Sequence, residues 1–474
     1  MDFSLFEASK KAYIIGLGKV FSNNLQLNNS IMMQSLRFRL SLMMFLQFFI
    51  WGAFFVTMGA YLLQVFEGEE SLNSIIGSAY ATHNWAGLLA PVFVGLLADR
   101  YFNAEKVNGI SHILGAILLW MAAGVTDSGT FIWIMLAYFM LYMPSLALVN
   151  AIAFANIDNP DSEFPRIRVW GTIGWILAGF IVAGTVLGFV NIPILSWITG
   201  VESNIQSTNI PLKVSAVISV LYGLYSFTLP ATPPSARGEK FDVKQALGLD
   251  ALKLLSEKNF AIFSFSSFAI SIPLAFYYAR TNDFIAAVAF GEQSPSFMAI
   301  GQMSEVLFML AIPLFLARLG VKWMLLVGML AWTARYLLFG LFPSSTALIV
   351  LGIALHGICY DFFFVTGQLY VDKKAPKHLR ASAQGFFNLL TYGAGMLIGN
   401  YVLGWWGDSI ALDGSTLEGW MQGAQSFWVM PGIVALLVAA FFFALFWDSS
   451  TDTDASDSAG SGSDVSPNVE AATA

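Results

Sequence analysis

Residues 86–100 read Ala86-Gly-Leu-Leu-Ala-Pro-Val-Phe-Val-Gly95-Leu-Leu-Ala-Asp99-Arg100. The run is uncharged until its last two positions, where it stops on an acid and a base. That is how a helix leaves lipid, with apolar side chains in the hydrocarbon and charge at the surface. Backwards, the run extends to about residue 72. Eleven more segments follow the same plan, at about 40–65, 107–125, 130–157, 167–190, 211–230, 259–285, 296–317, 321–341, 346–371, 381–405 and 426–447. Each approaches the ~20 apolar residues that a helical span needs. Gly and Pro inside them are compatible with lipid, because neighbouring helices re-satisfy the backbone. The sequence therefore predicts an all-α integral membrane protein of twelve transmembrane helices.

Composition agrees. Hydrophobic residues make up 57% of the 474 and charged residues 11%, whereas a soluble domain carries roughly a quarter charged. The formal charge of −7 comes largely from the C-terminal tail. No basic patch with interleaved aromatics is present, so a nucleic-acid partner is not expected. Cys359 is the only cysteine, which excludes disulfide frameworks and thiolate metal clusters. With no HExxH and no phosphate loop, neither a metal, a cofactor nor an enzyme activity is expected.

Lysine and arginine set the orientation. Arg37, Arg39, Arg100, Lys106, Arg166, Arg237, Lys240, Lys244, Lys253, Lys258, Arg318, Lys322, Lys373, Lys374, Lys377 and Arg380 fall on one side, and only Lys213 breaks the pattern. The opposite loops hold Glu67, Glu69, Glu70, Glu202, Glu292 and Glu418. The positive-inside rule then places both termini in the cytoplasm of a multi-pass (inner) membrane protein. Five segments are expected: a cytoplasmic extension over 1–34, a six-helix half over 35–230, a linker over 231–258, a second six-helix half over 259–447, and an acidic tail over 448–474. Met32 and Met33 just before the first span are candidate starts. Val243 to Leu255 has the pattern of an amphipathic surface helix. The tail, rich in Asp, Ser, Gly and Thr, cannot bury a core.

Several side chains inside the spans need a reason, since an ionisable group at mid-bilayer costs about 2.5–3.5 kcal/mol on insertion scales. In span 5, Arg168, Thr172 and Trp175 stand at i, i+4 and i+7 and share a helical face. A guanidinium, a hydroxyl and an aromatic surface suit a solute with hydroxyls and a flat ring; the alternative for Arg168 is a cytoplasmic-end anchor beside Arg166. In span 8, Gln302 and Glu305 share a face, and Glu305 must meet a wet cavity, a proton or a cation such as Arg335 or Arg280. In span 10, His356, Tyr360 and Asp361 interrupt the apolar run Leu351–Val371. Three phenylalanines follow Asp361, and desolvation there disfavours its charge, as a proton carrier requires. Histidine titrates in the physiological range unperturbed. A buried helix-packing hydrogen bond is the competing account for this trio. Gln47 and Trp51 in span 1 repeat the i, i+4 arrangement. For Gln47, Asn150, Asn156, Gln384 and Asn388, helix–helix hydrogen bonding is the expected role.

The stretch Gly95-Leu-Leu-Ala-Asp99-Arg100 resembles the signature loop of the major facilitator superfamily. A carboxylate and guanidinium at a helix end can pin neighbouring helices in one conformational state, and Gly95 permits close approach. An ordinary positive-inside flank explains Arg100 but not Gly95 and Asp99 at this spacing. The matching place in the second half, Leu316-Ala-Arg318-Leu-Gly320, lacks the acid. Further stretches closely resemble the bacterial nucleoside:proton symporters: Phe164-Pro-Arg-Ile-Arg-Val-Trp-Gly-Thr-Ile-Gly174, Gly301-Gln-Met-Ser-Glu-Val-Leu-Phe308, Tyr360-Asp-Phe-Phe363, Phe45-Leu-Gln-Phe48 with Trp51-Gly52, Leu247-Gly-Leu-Asp-Ala251 and Arg380-Ala-Ser-Ala-Gln-Gly385. The likeness runs colinearly from about residue 36 to 447.

The resemblance implies a central nucleoside cavity between two six-helix halves and proton-coupled import by alternating access. It implies that Arg168, Thr172, Gln302 and Glu305 bind solute, and that Asp361 is proton-linked, with Glu305 a second candidate. Trp175, His356 and Tyr360 stand where the family has Phe, Tyr and Phe, and each can stack on or bond a base. In span 7 the family presents a Gln and an Asn, where this chain has Ala275 and Tyr278, so base preference is open. A monomer, nucleoside and proton as transported partners and the lipid bilayer as surroundings are expected. Rival readings are a facilitator for another small polar solute, such as a sugar or nucleobase, and a membrane sensor that binds without transporting.

Overall fold

The computed structural model describes residues 34–234, 237–238 and 242–447. The N-terminal extension, the C-terminal tail and part of the linker expected from the sequence lie outside these residues. Twelve long helices account for most of the described chain. They are α1 (Gln34–Val65), α2 (Leu72–Leu97), α3 (Ala104–Ala122), α4 (Ser128–Ala155), α5 (Pro160–Ala183), α6 (Ile210–Ser226), α7 (Lys258–Ile285), α8 (294–319), α9 (321–341), α10 (Thr346–Lys374), α11 (Ser382–Ser409) and α12 (Leu417–Leu445). The chain is all-α apart from a two-residue antiparallel pairing, Thr185–Val186 with Val190–Asn191, in the α5–α6 connection.

Seven helical runs among the described residues are long and apolar enough to cross a membrane. One of them, 258–341, contains α7, α8 and α9. Helices α8 and α9 divide at Gly320, whose φ of 69° breaks the helical path; glycine takes that left-handed conformation without a Cβ clash. Helices α2 and α3 are more polar, carrying Thr82, His83 and Asn84, and Glu105, Asn108 and His112.

Helix starts lie upstream of the apolar runs where polar caps pull them outward. Helix α5 begins at Pro160, not near 167, because the Asn159 side chain accepts from Ser162 N at 3.3 Å and proline occupies the first turn. Helix α12 begins at Leu417, not near 426, because Thr416 Oγ1 accepts from Gly419 N at 3.0 Å. Such caps satisfy amide groups that the helix itself leaves orphaned. Between α6 and α7, Val243–Ala246 forms a helical turn and Leu249–Ser256 a 3₁₀ helix, with Gly248 in the left-handed region between them, rather than one amphipathic helix.

The described residues fall into two compact units. Unit 1 comprises residues up to 241 with Phe290–Ala299, and unit 2 comprises Asp242–Ala289 with Ile300 onward. In unit 1 a buried polar network ties α1, α3, α4 and α6. Gln47 Nε2 donates to Ser145 Oγ at 2.7 Å, and His112 Nε2 meets Gln47 Oε1 at 3.0 Å. Tyr142 OH donates to the Gln47 carbonyl at 2.7 Å, and Asn108 Nδ2 donates to Tyr222 OH and Ser226 Oγ at 3.0 and 2.8 Å. Without water inside a bilayer, such groups are stabilised only by one another. Unit 2 buries many aromatic rings, with Trp332, Trp420 and Trp428 fully enclosed.

Candidate functional site

Unit 1 presents the α5 face predicted from the sequence, and glycine explains how. A Cβ on Gly174 would strike the Phe45 backbone of α1, and one on Gly171 would lie 2.7 Å from the Phe48 ring. The two helices therefore cross almost backbone to backbone. This crossing sets the Arg168 guanidinium 4.2 Å from the Phe48 ring centroid, a cation–π contact. It also sets Trp175 edge-on to Trp51 at 5.3 Å. Trp51 in turn lies 5.7 Å from Tyr142 and 5.4 Å from Phe55. Arg168, Thr172 and Trp175 are all half-buried. Gln47, one turn before Trp51, is fully buried in the network above and serves to pack helices.

In unit 2, glycine again allows a close crossing. Gly357 on α10 faces α8, where a Cβ would lie 2.5 Å from the Ser304 carbonyl oxygen, and Gly357 N donates to Ser304 Oγ at 2.9 Å. The crossing brings His356 Nε2 to 3.9 Å from Glu305 Oε2. The imidazole is buried and stacked on Tyr277 at 4.9 Å and 15°. The guanidinium of Arg335 covers the Tyr277 ring at 4.0 Å while its Nε donates to the Gly352 carbonyl at 2.9 Å. Arg335, Tyr277, His356 and Glu305 thus form a column from the interior of unit 2 outward. Arg280, the other cation considered for Glu305, instead lies 3.3 Å from Asp283 on its own helix, between the rings of Trp420 and Phe427.

Exposure sorts the predicted residues of unit 2. Gln302, Glu305 and Tyr360 are half-buried and can touch a solute. His356 and Asp361 are enclosed, at 1% and 0% exposure. Asp361 begins a π-helical turn, Asp361–Val365, a local widening that recurs at functional sites. Neither of its carboxylate oxygens makes a hydrogen bond. The Met309 backbone lies close without hydrogen-bond geometry, and the Glu305 carboxylate is within electrostatic reach. A second group was not visible from the sequence. Tyr392 on α11 donates to Tyr360 OH at 2.6 Å, and the Tyr278 ring lies 6.0 Å from His356. At the end of α2, Asp99 and Arg100 lie in the turn 98–101, and neither is without an interaction there. Among the described residues no three His, Cys, Asp or Glu side chains are grouped to hold a metal ion.

The family model for the nucleoside H+ symporter matches residues 33–451. The chain belongs to the nucleoside:proton symporter family. It is therefore a multi-pass membrane transporter of the major facilitator superfamily that imports nucleosides with protons, and it is not an enzyme. The putative nucleoside transporter YegT of Escherichia coli is 40% identical over 423 residues, covering 88% of this chain and 95% of the relative. The nucleoside permease NupG of the same organism is 32% identical over 430 residues, covering 87% and 96%. A crystal structure of NupG matches with a TM-score of 0.74 at 31% identity, over 87% of this chain and all of that one. In this symporter the two α7 positions singled out from the sequence differ in placement. Ala275 is fully buried, facing Gly399 of α11, whereas Tyr278 is half-buried beside His356.

Proposed function

We propose that Asp361 and Glu305 carry the coupling proton, that Arg168, Thr172 and Trp175 in unit 1 and Gln302, Glu305 and Tyr360 in unit 2 are nucleoside-binding groups, and that His356 serves the site through Glu305. The observation that carries this reading is the contrast between the two acids. Asp361 is enclosed with no hydrogen-bond partner, while Glu305 has a side chain 19% exposed. An ionised carboxylate without a cation or donor is costly to bury, so Asp361 is the group that a proton neutralises. Glu305 is the acid that meets both solute and solvent. His356 contributes by holding Glu305 from behind rather than by stacking openly on a base.

The chain resides in the inner membrane with both termini in the cytoplasm and works as a monomer. The concentration of Lys and Arg at alternate helix ends supports this orientation. Gly95, Asp99 and Arg100 act as the conformational latch at the end of α2. One proton moving down about 150 mV supplies roughly 3.5 kcal/mol, enough for a few-hundredfold accumulation. Uptake by proteoliposomes under an imposed pH gradient, with a panel of nucleosides and with sugars and nucleobases as competitors, tests the reading. Asp361→Asn should lose gradient-driven accumulation and keep some nucleoside exchange. Full concentrative uptake by that variant removes Asp361 from the mechanism.

A further inference from the structure

We propose that Phe48 is a positioning residue for nucleoside recognition, its ring holding the Arg168 guanidinium where that group meets the solute. The inference rests on the assignment of Arg168 to the solute site and extends it to a residue of another helix outside that set.

Two features of the α1–α5 crossing create the arrangement. The Arg168 guanidinium lies 4.2 Å from the Phe48 ring centroid. Gly171, three residues further along α5, leaves room for both. A Cβ there would stand 2.8 Å from Arg168 Nη1 and 2.7 Å from the Phe48 ring, so a side chain at this position would drive the two apart. The guanidinium therefore runs forward along α5, away from the helix start at Pro160. An arginine that anchors a helix start does the opposite. Helical side chains lean back toward the N-terminus, and a long cationic one continues that way to reach the headgroups. Arg166, exposed and two residues nearer the start, fits the anchor's place. Arg168 does not.

An arginine side chain has much rotamer freedom to lose when it is fixed. The Phe48 ring reduces that freedom before solute arrives, because the electron cloud on its face attracts the cation. The ring is itself held: Phe48 is half-buried and its centroid lies 6.4 Å from that of Trp51. Arg168 makes further interactions as well, and the ring adds to them. A ring contact engages the charge of the guanidinium and leaves its N–H donors to hydrogen bonding. Such preorganisation lowers the ordering cost that binding must overcome. Removing the ring leaves charge and donors in place but less well fixed. Apparent affinity then falls, while the maximal rate of transport is little changed.

The experiment is a double-mutant cycle on KM for uridine in proteoliposomes. Phe48→Leu keeps an apolar side chain but removes the ring. It should raise KM about three- to tenfold, the range of a partly desolvated cation–π contact, and hold the maximal rate within about twofold. Placed on Arg168→Gln, the same substitution should change KM by less than about twofold, since the interaction is already gone. A second variant replaces Phe48 by a trifluorinated phenylalanine, which keeps the shape of the ring and withdraws electrons from its face. KM should rise here too, a response that a packing role would not give. Additive effects in the cycle, or a fluorinated ring that leaves KM at the parent value, overturn the proposal. If Phe48→Leu does not fold, the fluorinated variant decides alone. Arg168→Gln with the KM of the parent would refute the assignment of Arg168 to the solute instead, so the two failures are distinguishable.

Discussion

Replacing Gly357 with alanine tests the idea that a single close crossing assembles the α8–α10 site. The added Cβ would lie 2.5 Å from the Ser304 carbonyl oxygen and 2.8 Å from Glu305 N, both backbone atoms that cannot swing away. Restoring an ordinary 3.4 Å contact requires the helices to part by about 0.9 Å, and overpacking of this kind costs about 1–3 kcal/mol. The same movement stretches the 2.9 Å bond from Gly357 N to Ser304 Oγ, a further loss of about 1 kcal/mol. Against these stands a gain of about 1 kcal/mol from alanine's higher helix propensity. The net effect is a destabilisation of about 1–3 kcal/mol, together with a wider gap between His356 and Glu305. Gly87→Ala is the control, because a Cβ there meets nothing within 4 Å. Heat-unfolding midpoints of the purified protein and KM for uridine should both worsen for Gly357→Ala and hold or improve for Gly87→Ala. If the two variants behave alike in both assays, the close-crossing argument is wrong.

Three further outcomes are expected. Tyr277→Phe should be neutral or slightly stabilising in a thermal-unfolding assay, since the buried hydroxyl has no hydrogen-bond partner, whereas Tyr277→Ala should cost about 3–5 kcal/mol by emptying the stack between Arg335 and His356. His112→Leu should lower stability by about 1–3 kcal/mol, because it leaves Gln47 Oε1 without its donor in the interior of unit 1; a loss below 0.5 kcal/mol would argue against the network. In the α11–α12 loop, partial burial works against ionisation of Asp413, but hydrogen bonds from Ser415 and Thr416 prevail and hold its carboxyl below the usual range. Its stabilising contribution is thus present above a pH of about 4 and fades as pH falls toward the lowered native value, so the stability gap between the parent and Asp413→Asn should close in acid.

The twelve helices were legible because lipid imposes a one-dimensional rule. Every crossing demands its own apolar run, and charge marks where the run leaves the bilayer. The same rule exposed Arg168, Glu305, His356 and Asp361, since ionisable groups in such runs need a partner or a cavity. Regular periodicity was enough to place Arg168, Thr172 and Trp175 on one face, because α5 stays α-helical through them. Helix starts were less legible at Pro160 and Leu417, where capping side chains extend a helix past its hydrophobic segment.

Sequence by itself determined the membrane class, the helix order, the family and the positions of the unusual polar groups. Tertiary structure alone decided that Asp361 is enclosed while Glu305 is reachable, that Arg280 is committed to Asp283, and that Ala275 packs on α11 while Tyr278 faces His356. It also decided that Tyr392 joins Tyr360, which no 3.6-residue period could predict, because π turns in both helices shift the faces. The physical reason is that the requirement to span lipid acts on each segment separately. Which side chains meet depends on contacts between helices far apart in the chain, set here by glycines that let backbones touch.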